Sequence, residues 1–291
     1  MTQILLELVI SSLLLGCWYI LFAAGLNLIF GVTRVVNFAH GEFIMLGGYA
    51  GFWFWSIFKL DPIFMALIIF PISLIAGFGL CKLLIKPLLK GPSAELNTLI
   101  MTFGLSILIS NLARSIWTTA PRATSAPAWF IFPFGISISV TRLVISLISL
   151  FIVVILYIFL KKSFTGKAVR AVSQNREAAL AIGLDVDHLT ALSLGIGIAL
   201  ASLAGTLVSS TYAVHPYIGL PFALISFSII IFGGMGSFKG LFIGAFVLAT
   251  IENFSAYLVG VMWKEFIFFV IILIMVSIRP SGIAKTEVRV G

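Results

Sequence analysis

"LLELVISSLLLGCWYILFAAGLNLIFG", residues 5–31, carries a single charge, Glu7, in twenty-seven positions. A transmembrane helix needs roughly 20 mostly apolar residues to cross the ~30 Å hydrocarbon layer. The run is long enough to do so and lacks the polar alternation of a barrel strand, so it reads as a membrane-spanning helix. A competing reading fails on its flanks. "LLGC" (Leu14–Cys17) looks like a lipoprotein cleavage box, but no Lys or Arg precedes it and apolar sequence continues well past Cys17. A secretory signal needs a basic start and a short apolar core. The stretch is therefore read as an uncleaved first span.

The same signal recurs outward along the chain. Apolar runs fall at about 5–31, 42–58, 63–81, 94–117, 141–160, 189–212, 218–236, 240–260 and 265–279, the seventh being the weakest. The composition is 61% hydrophobic and 10% charged, with mean hydropathy +1.20. A soluble domain carries about 25% charged residues, so this chain cannot cover itself with polar surface. The expected fold is all-α: a polytopic membrane helix bundle of 8–9 transmembrane helices, forming one transmembrane domain over residues 1–291, with no room for a sizeable soluble domain.

A net charge of +8 raises the question of where the positive residues fall. One set of alternate loops holds Arg34, Lys82, Lys86, Lys90, Lys161, Lys162, Lys167, Arg170, Arg176, Lys239, Arg279, Lys285 and Arg289. The other holds Lys59, Arg114, Arg122, Arg142 and Lys264. Thirteen against five places the first set in the cytoplasm, the N-terminus outside and the C-terminus inside. No basic run with interleaved aromatics lies outside the spans, which excludes nucleic acid as a partner. Cys17 and Cys81 have no Cys or His neighbour at metal spacing, arguing against zinc and a disulfide. No nucleophile, triad or metal set appears, so catalysis is not expected.

Between the first two runs lies "TRVVNFAHGEFIMLGG", residues 33–48, with Arg34, Asn37, His40 and Glu42 inside nine positions. Ionisable groups near hydrocarbon are costly and face protein, water or a pathway. Clustering lets them satisfy one another: Arg34 or His40 can pair with Glu42, and Asn37 can bond freed backbone groups. Gly31, Gly41, Gly47 and Gly48 permit sharp bends and close helix approach. The segment reads as a tight turn or broken helix at the inner end of the first two spans, serving as a gate or pivot, or else as a rigid hairpin that packs the bundle. A proton relay through His40 and Glu42 is a lesser alternative.

Two longer loops remain. The external "TTAPRATSAPAWFIFPFGISISV" offers Trp129, Phe130, Phe132 and Phe134 as an interfacial aromatic belt or a docking surface. The internal "KKSFTGKAVRAVSQNREAALAIGLDVDH", residues 161–188, contains Thr165-Gly166-Lys167. A phosphate loop needs an earlier Gly and a following Ser or Thr; Ala168 follows the Lys, so the chain has no nucleotide site of its own. "REAALAIG" matches the EAA-x-x-x-G pattern of ABC importer membrane subunits, with Glu177, Ala178, Ala179 and Gly183. Ala178 and Ala179 favour a helix and allow close approach. Val172, Ala179 and Ile182 can share an apolar face, and Gly183 can end the helix. An amphipathic helix lying on the membrane would carry the same pattern.

"GLNLIFGVTRVVNFAHGEFIMLGGYAG" (Gly25–Gly51) resembles the signature of LivH-type permease subunits of branched-chain amino-acid ABC importers. "GKAVRAVSQNREAALAIG" and "IFGGMGSFKGLFIGA" resemble the same family in the same order, so the similarity covers nearly the whole chain. Asn37–Glu42 is its most specific part. The resemblance implies a multi-pass subunit of the bacterial cytoplasmic membrane, paired with a second, non-identical permease. It implies two ATPase subunits, which use ATP and Mg while this chain binds no cofactor, and an external amino-acid-binding protein. Coupling would belong to Glu177, Ala178, Ala179 and Gly183, and the gate or turn to Arg34, Asn37, His40, Gly41 and Glu42. Urea or short amides as cargo, or proton-coupled secondary transport, are the alternatives.

Polar groups within the spans are pathway candidates. Thr98, Thr102, Ser106 and Ser110 recur every four residues, flanked by Asn97 and Asn111; Asn27 lies in the first span, and Glu252 with Asn253 in the eighth. Small hydroxyl residues in membrane helices also serve packing or bond their own backbone. "IFG…HGEFI" at 29–44 echoes "IFG…KGLFI" at 231–243, both at inner turns, which points to an internal repeat.

Overall fold

The computed structural model describes residues 2–89, 93–124, 129–279 and 281–284, without the side chains of Phe134 and Glu265. Lys90, Lys285 and Arg289 of the basic count, and residues 125–128 of the external segment, lie outside that set. The described residues form eleven helices. They are α1 (Thr2–Thr33), α2 (His40–Phe58), α3 (Pro62–Leu88, with a π-helical turn at Cys81–Ile85), α4 (Ala94–Trp117) and α5 (Val140–Lys162). Then follow α6 (Phe164–Gln174), α7 (Arg176–Ala181), α8 (Val186–Val208), α9 (Gly219–Gly233), α10 (Phe238–Leu258) and α11 (Lys264–Ile278).

Nine of these stand where the nine apolar runs predict them, and α6 and α7 occupy the long basic loop. Six, namely α1, α3, α4, α5, α8 and α10, are long and apolar enough to cross a bilayer. The 15-residue α9 rises only about 22 Å at 1.5 Å per residue. A two-stranded hairpin, β1 (Phe130–Ile131) with β2 (Ile138–Ser139), precedes α5. Trp129, Phe130 and Phe132 beside it are exposed.

The solvent of the outer helices is apolar, and their side chains reflect it. Leu67 and Ile75 of α3, Phe151 of α5 and Leu273 of α11 all point outward. Helix α8 is the reverse, with nearly every residue from Leu189 to Val208 buried. It packs against α1, α2 and α3, while α1 packs in turn against α8, α9 and α10. Where α1 crosses α8, Gly25 and Gly197 each stand against the other's carbonyl, so a Cβ on either would strike backbone. Dispersion contacts between closely approaching backbones supply association in lipid, where helices gain little hydrophobic drive from one another.

Those packing partners expose a repeat. Helices α1–α2–α3 and α8–α9–α10 make matching contacts about the α1–α8 crossing. Arg34, at the end of α1, donates from Nη2 to Ser173 O (3.2 Å), shortly before α8 begins. Asn27 and Gly236 join α1 to the α9–α10 turn, and Lys86 pairs with Asp187. These loops share one end of the bundle, so α1 and α8 run oppositely and the repeat is inverted. The sequence echo is set in another frame. It matches the end of α1 with the end of α9, whereas the bundle pairs α1 with α8 and α2 with α9. Both echoed segments are glycine-containing turns at the same end, with Gly31 facing Gly236, and that local requirement accounts for their likeness.

Candidate functional site

After Thr33 the chain does not make a tight turn. Arg34 takes φ +56°, and residues 34–39 climb back into the bundle without helical structure. The climb ends at His40, whose buried Nε2 donates to Phe22 O at 2.8 Å, eleven residues before the end of α1. That contact places the start of α2 about 16 Å inside the bundle. Non-helical backbone at such depth needs partners supplied by protein. Thr33 Oγ1 accepts from Val35 N (3.2 Å), and Asn37 Oδ1 from Ala39 N (3.1 Å). Thr102 Oγ1 donates to Val36 O (3.2 Å) and lies 3.3 Å from Phe38 N, which donates to it.

The polar stripe of α4 thus faces this segment. Thr98, Thr102 and Ser106 are buried, and Ser106 Oγ donates to Glu42 Oε1 at 2.9 Å. Thr98 Oγ1 bonds its own helix at Ala94 O. The expected pairing of Arg34 or His40 with Glu42 is not formed. Arg34 lies at the end of α1, a climb away from Glu42, and His40 is committed to Phe22 O.

The segment before α9 repeats this construction. His215 Nδ1 accepts from Tyr217 N (3.3 Å) and His215 O from Ile218 N (3.1 Å), as Asn37 Oδ1 and O accept from Ala39 N and His40 N. Gly219 then opens α9 as Gly41 follows the start of α2, and the two glycines touch: a Cβ on Gly41 would collide with Gly219 O. Two helix N-termini therefore begin side by side inside the molecule and run to opposite ends. Their macrodipoles present partial positive charge there. Glu42 lies between them, 3% exposed, with Oε2 2.6 Å from where a Gly219 Cβ would stand and without a hydrogen-bond partner among the described residues. Residues 209–218 are further held by backbone bonds between Arg122 and Val214 and by Thr124 Oγ1 donating to Ser209 O. Sequence reasoning missed this second segment. The available signal was "HPYIG", a Pro and a Gly interrupting an apolar run.

At the basic end, α6 buries Ala168, Val169 and Val172 and exposes Lys167 and Arg170. Asn175 leaves the helical conformation and its Oδ1 caps α7 by accepting from Ala178 N at 2.9 Å. Gly183 takes φ +82°, which an L side chain resists, and closes α7 with Leu184 N donating to Ala179 O and Gly183 N to Leu180 O. Ala179 is buried, whereas Glu177, Ala178, Leu180 and Ile182 are exposed. Ile182 therefore does not share an apolar face with Val172 and Ala179. The break at Asn175 resets the helical phase, and Ile182 lies beyond the end of α7. Arg176 Nη2 meets Asp187 Oδ1 (3.4 Å), and Lys86 Nζ meets Asp187 Oδ2 (2.9 Å), tying α7 and α3 to the first turn of α8.

The remaining pathway candidates sit apart from one another. Asn27 Oδ1 accepts from Gly236 N at 2.9 Å. Glu252 accepts from Tyr19 OH and pairs with Lys264 Nζ at 2.7 Å, linking α10 to α1 and α11; Asn253 Nδ2 donates to Ser12 Oγ. Among the described residues no group of His, Cys, Asp and Glu is placed to hold a metal.

A family model described as the branched-chain amino acid transport system permease component matches residues 8–276. The chain is 29% identical to the high-affinity branched-chain amino acid transport system permease protein BraD of Pseudomonas aeruginosa, over 96% of this chain and 95% of that one. It is 28% identical to the permease protein LivH of Salmonella typhimurium, over 96% and 94%. The probable permease protein LivM of Methanocaldococcus jannaschii matches more narrowly, at 27% over 47% of this chain and 45% of its own. No solved structure matches.

Proposed function

The chain belongs to the family of branched-chain amino acid transport permease components, and from that premise we propose that it moves branched-chain or related hydrophobic amino acids into the cytoplasm. It is a multi-pass, non-catalytic membrane subunit. It works with a second, non-identical permease, two ATPase subunits that consume ATP and Mg, and an external binding protein that delivers the amino acid. The observation that carries this reading is likeness to BraD and LivH over 96% of the chain, with a partial match to LivM as the kind of second subunit it would meet. The N-terminus is outside and the C-terminus inside, because the basic loops gather at one end.

In this reading α7 is the lever. Its exposed Glu177, Ala178 and Leu180 form the surface an ATPase grips, and Gly183 turns the chain sharply into α8. Movement of α7 pulls on α8 both through the backbone and through the Arg176–Asp187 contact. Helix α8 in turn holds α2: Thr206 Oγ1 donates to Gly47 O at 2.9 Å, and Gly47 stands against the Ser202 backbone. A shift of α8 displaces α2 and with it the Gly41–Gly219 contact beside Glu42. The pivot comprises Arg34, Asn37, His40, Gly41 and Glu42, with Thr102 and Ser106 as its polar seat; Asn27, Thr98 and Glu252 support helix positions on either side.

The test is ATP-dependent uptake by the assembled importer in proteoliposomes supplied with its binding protein. Labelled leucine should accumulate and be competed by isoleucine and valine. Accumulation of urea in preference to leucine, or uptake driven by a proton gradient without ATP, would overturn the assignment.

A further inference from the structure

A cavity of about 640 Å³ opens at the basic end between α1, α5, α6 and the α9–α10 turn. Arg34, Lys161 and Arg170 line it, and among the described residues no acidic side chain does. Arg34 Nη2 donates to Ser173 O and Arg170 Nη2 to Lys161 O (3.5 Å), while Lys161 Nζ stands 5.6 Å from the Tyr157 ring. None of the three cations is in an ion pair among the described residues. Glu95 shares with Arg34 a second cavity, lined also by Phe30, Val36, Leu96 and Leu99. Three cations held by carbonyls and a ring, in one concavity, leave positive charge unmatched.

A second observation points the same way. Asn27 lines the cavity, is 1% exposed, and its Oδ1 is occupied by Gly236 N, yet its Nδ2 has no partner among the described residues. A buried amide donor without an acceptor loses its hydration with nothing in return. An anion with several oxygens satisfies that donor and the cations together. Apolar groups (Leu28, Val32 and Leu160) share the lining. Charge and apolar surface side by side at a helix end match a headgroup joined to its acyl chains better than a free ion.

We propose that this cavity binds the phosphate of an anionic phospholipid. Arg34, Lys161 and Arg170 neutralise the headgroup, Asn27 Nδ2 donates to it, and the acyl roots lie along α1 and α5. The bound lipid bridges the α6 surface helix to the foot of the re-entrant segment at Arg34.

Native mass spectrometry of the full chain, purified with the subunits that accompany it, tests this with phosphatidylglycerol, phosphatidylcholine and inorganic phosphate as probes. Phosphatidylglycerol should be retained where phosphatidylcholine is lost. The double variant K161Q/R170Q should weaken retention roughly 25-fold, at about fivefold per cation. K161R/R170K should keep it, which separates lost charge from lost folding, and K59Q/R142Q at the opposite end should leave it unchanged. Retention of inorganic phosphate with loss in K161Q/R170Q would support the anion site and assign it to a soluble phosphate. Equal retention of both lipids, or wild-type retention by K161Q/R170Q, would overturn the proposal.

Discussion

Thr102 serves two backbone groups of the re-entrant segment with one hydroxyl, donating to Val36 O and accepting from Phe38 N. Valine has the same shape and neither function. Thr102→Val should therefore destabilise the protein by about 1–3 kcal/mol, the cost of stranding buried polar groups, while Thr102→Ser should retain most of the stability. Thermal unfolding in detergent measures both. Gly41 makes a second contrast. Its Cβ would collide with Gly219 O, whereas the Cβ of Gly79 would meet nothing within 4 Å. Gly41→Ala should cost about 1–3 kcal/mol, or more if the two helix starts cannot separate. Gly79→Ala should be neutral or stabilise by up to about 1 kcal/mol. Equal effects would mean that the two helices do not meet there. The cluster Arg34–Glu42 is legible in the sequence because charge is so scarce around it. Its partners are not, since Ser106 and Gly219 lie far along the chain and periodicity carries no information about distance in space.

At the scale of the element, α7 is two turns long and depends on its ends. Gly183→Ala forces an alanine into a left-handed conformation and should loosen that end by about 1–2 kcal/mol. Glu177 is exposed, so Glu177→Lys should leave thermal stability unchanged while weakening co-purification of the ATPase subunits and lowering uptake severalfold. Wild-type association and transport in both variants would remove α7 from the coupling role. The short helix α7 and its terminating glycine are readable from propensity and the Gly at the end of "REAALAIG". The phase of Ile182 is not, because nothing in the sequence marks Asn175 as a break rather than another helical residue. The apolar run 218–236 was legible as a helix for similar reasons. That α9 begins deep inside the bundle was hidden, because hydropathy reports what surrounds a residue and not its depth.

Over the whole molecule, apolar runs define the nine helices because lipid imposes the same demand on each. An internal repeat is legible in the sequence, but its frame and its inversion are not, because the two copies share contacts and hydrogen bonds rather than residue identities: Asn37 and His215 do one job with different side chains. The transport proposed for this chain draws its energy from partner subunits. The purified chain alone in liposomes should show no accumulation of leucine above the external level. Adding the partner permease, ATPases and binding protein should restore it in an ATP-dependent manner. Accumulation by the solitary chain would contradict the assignment.

The shortness of α9 carries a consequence for biosynthesis. A nascent segment rising about 22 Å has no full-width station of its own in a ~30 Å bilayer. Its berth is formed by Gly41 and the flanks of α1 and α2, which precede it in the chain, and by α10, which follows it. No framework laid down before this short helix completes its seat, so it reaches its final depth only after the neighbour that follows it has been made.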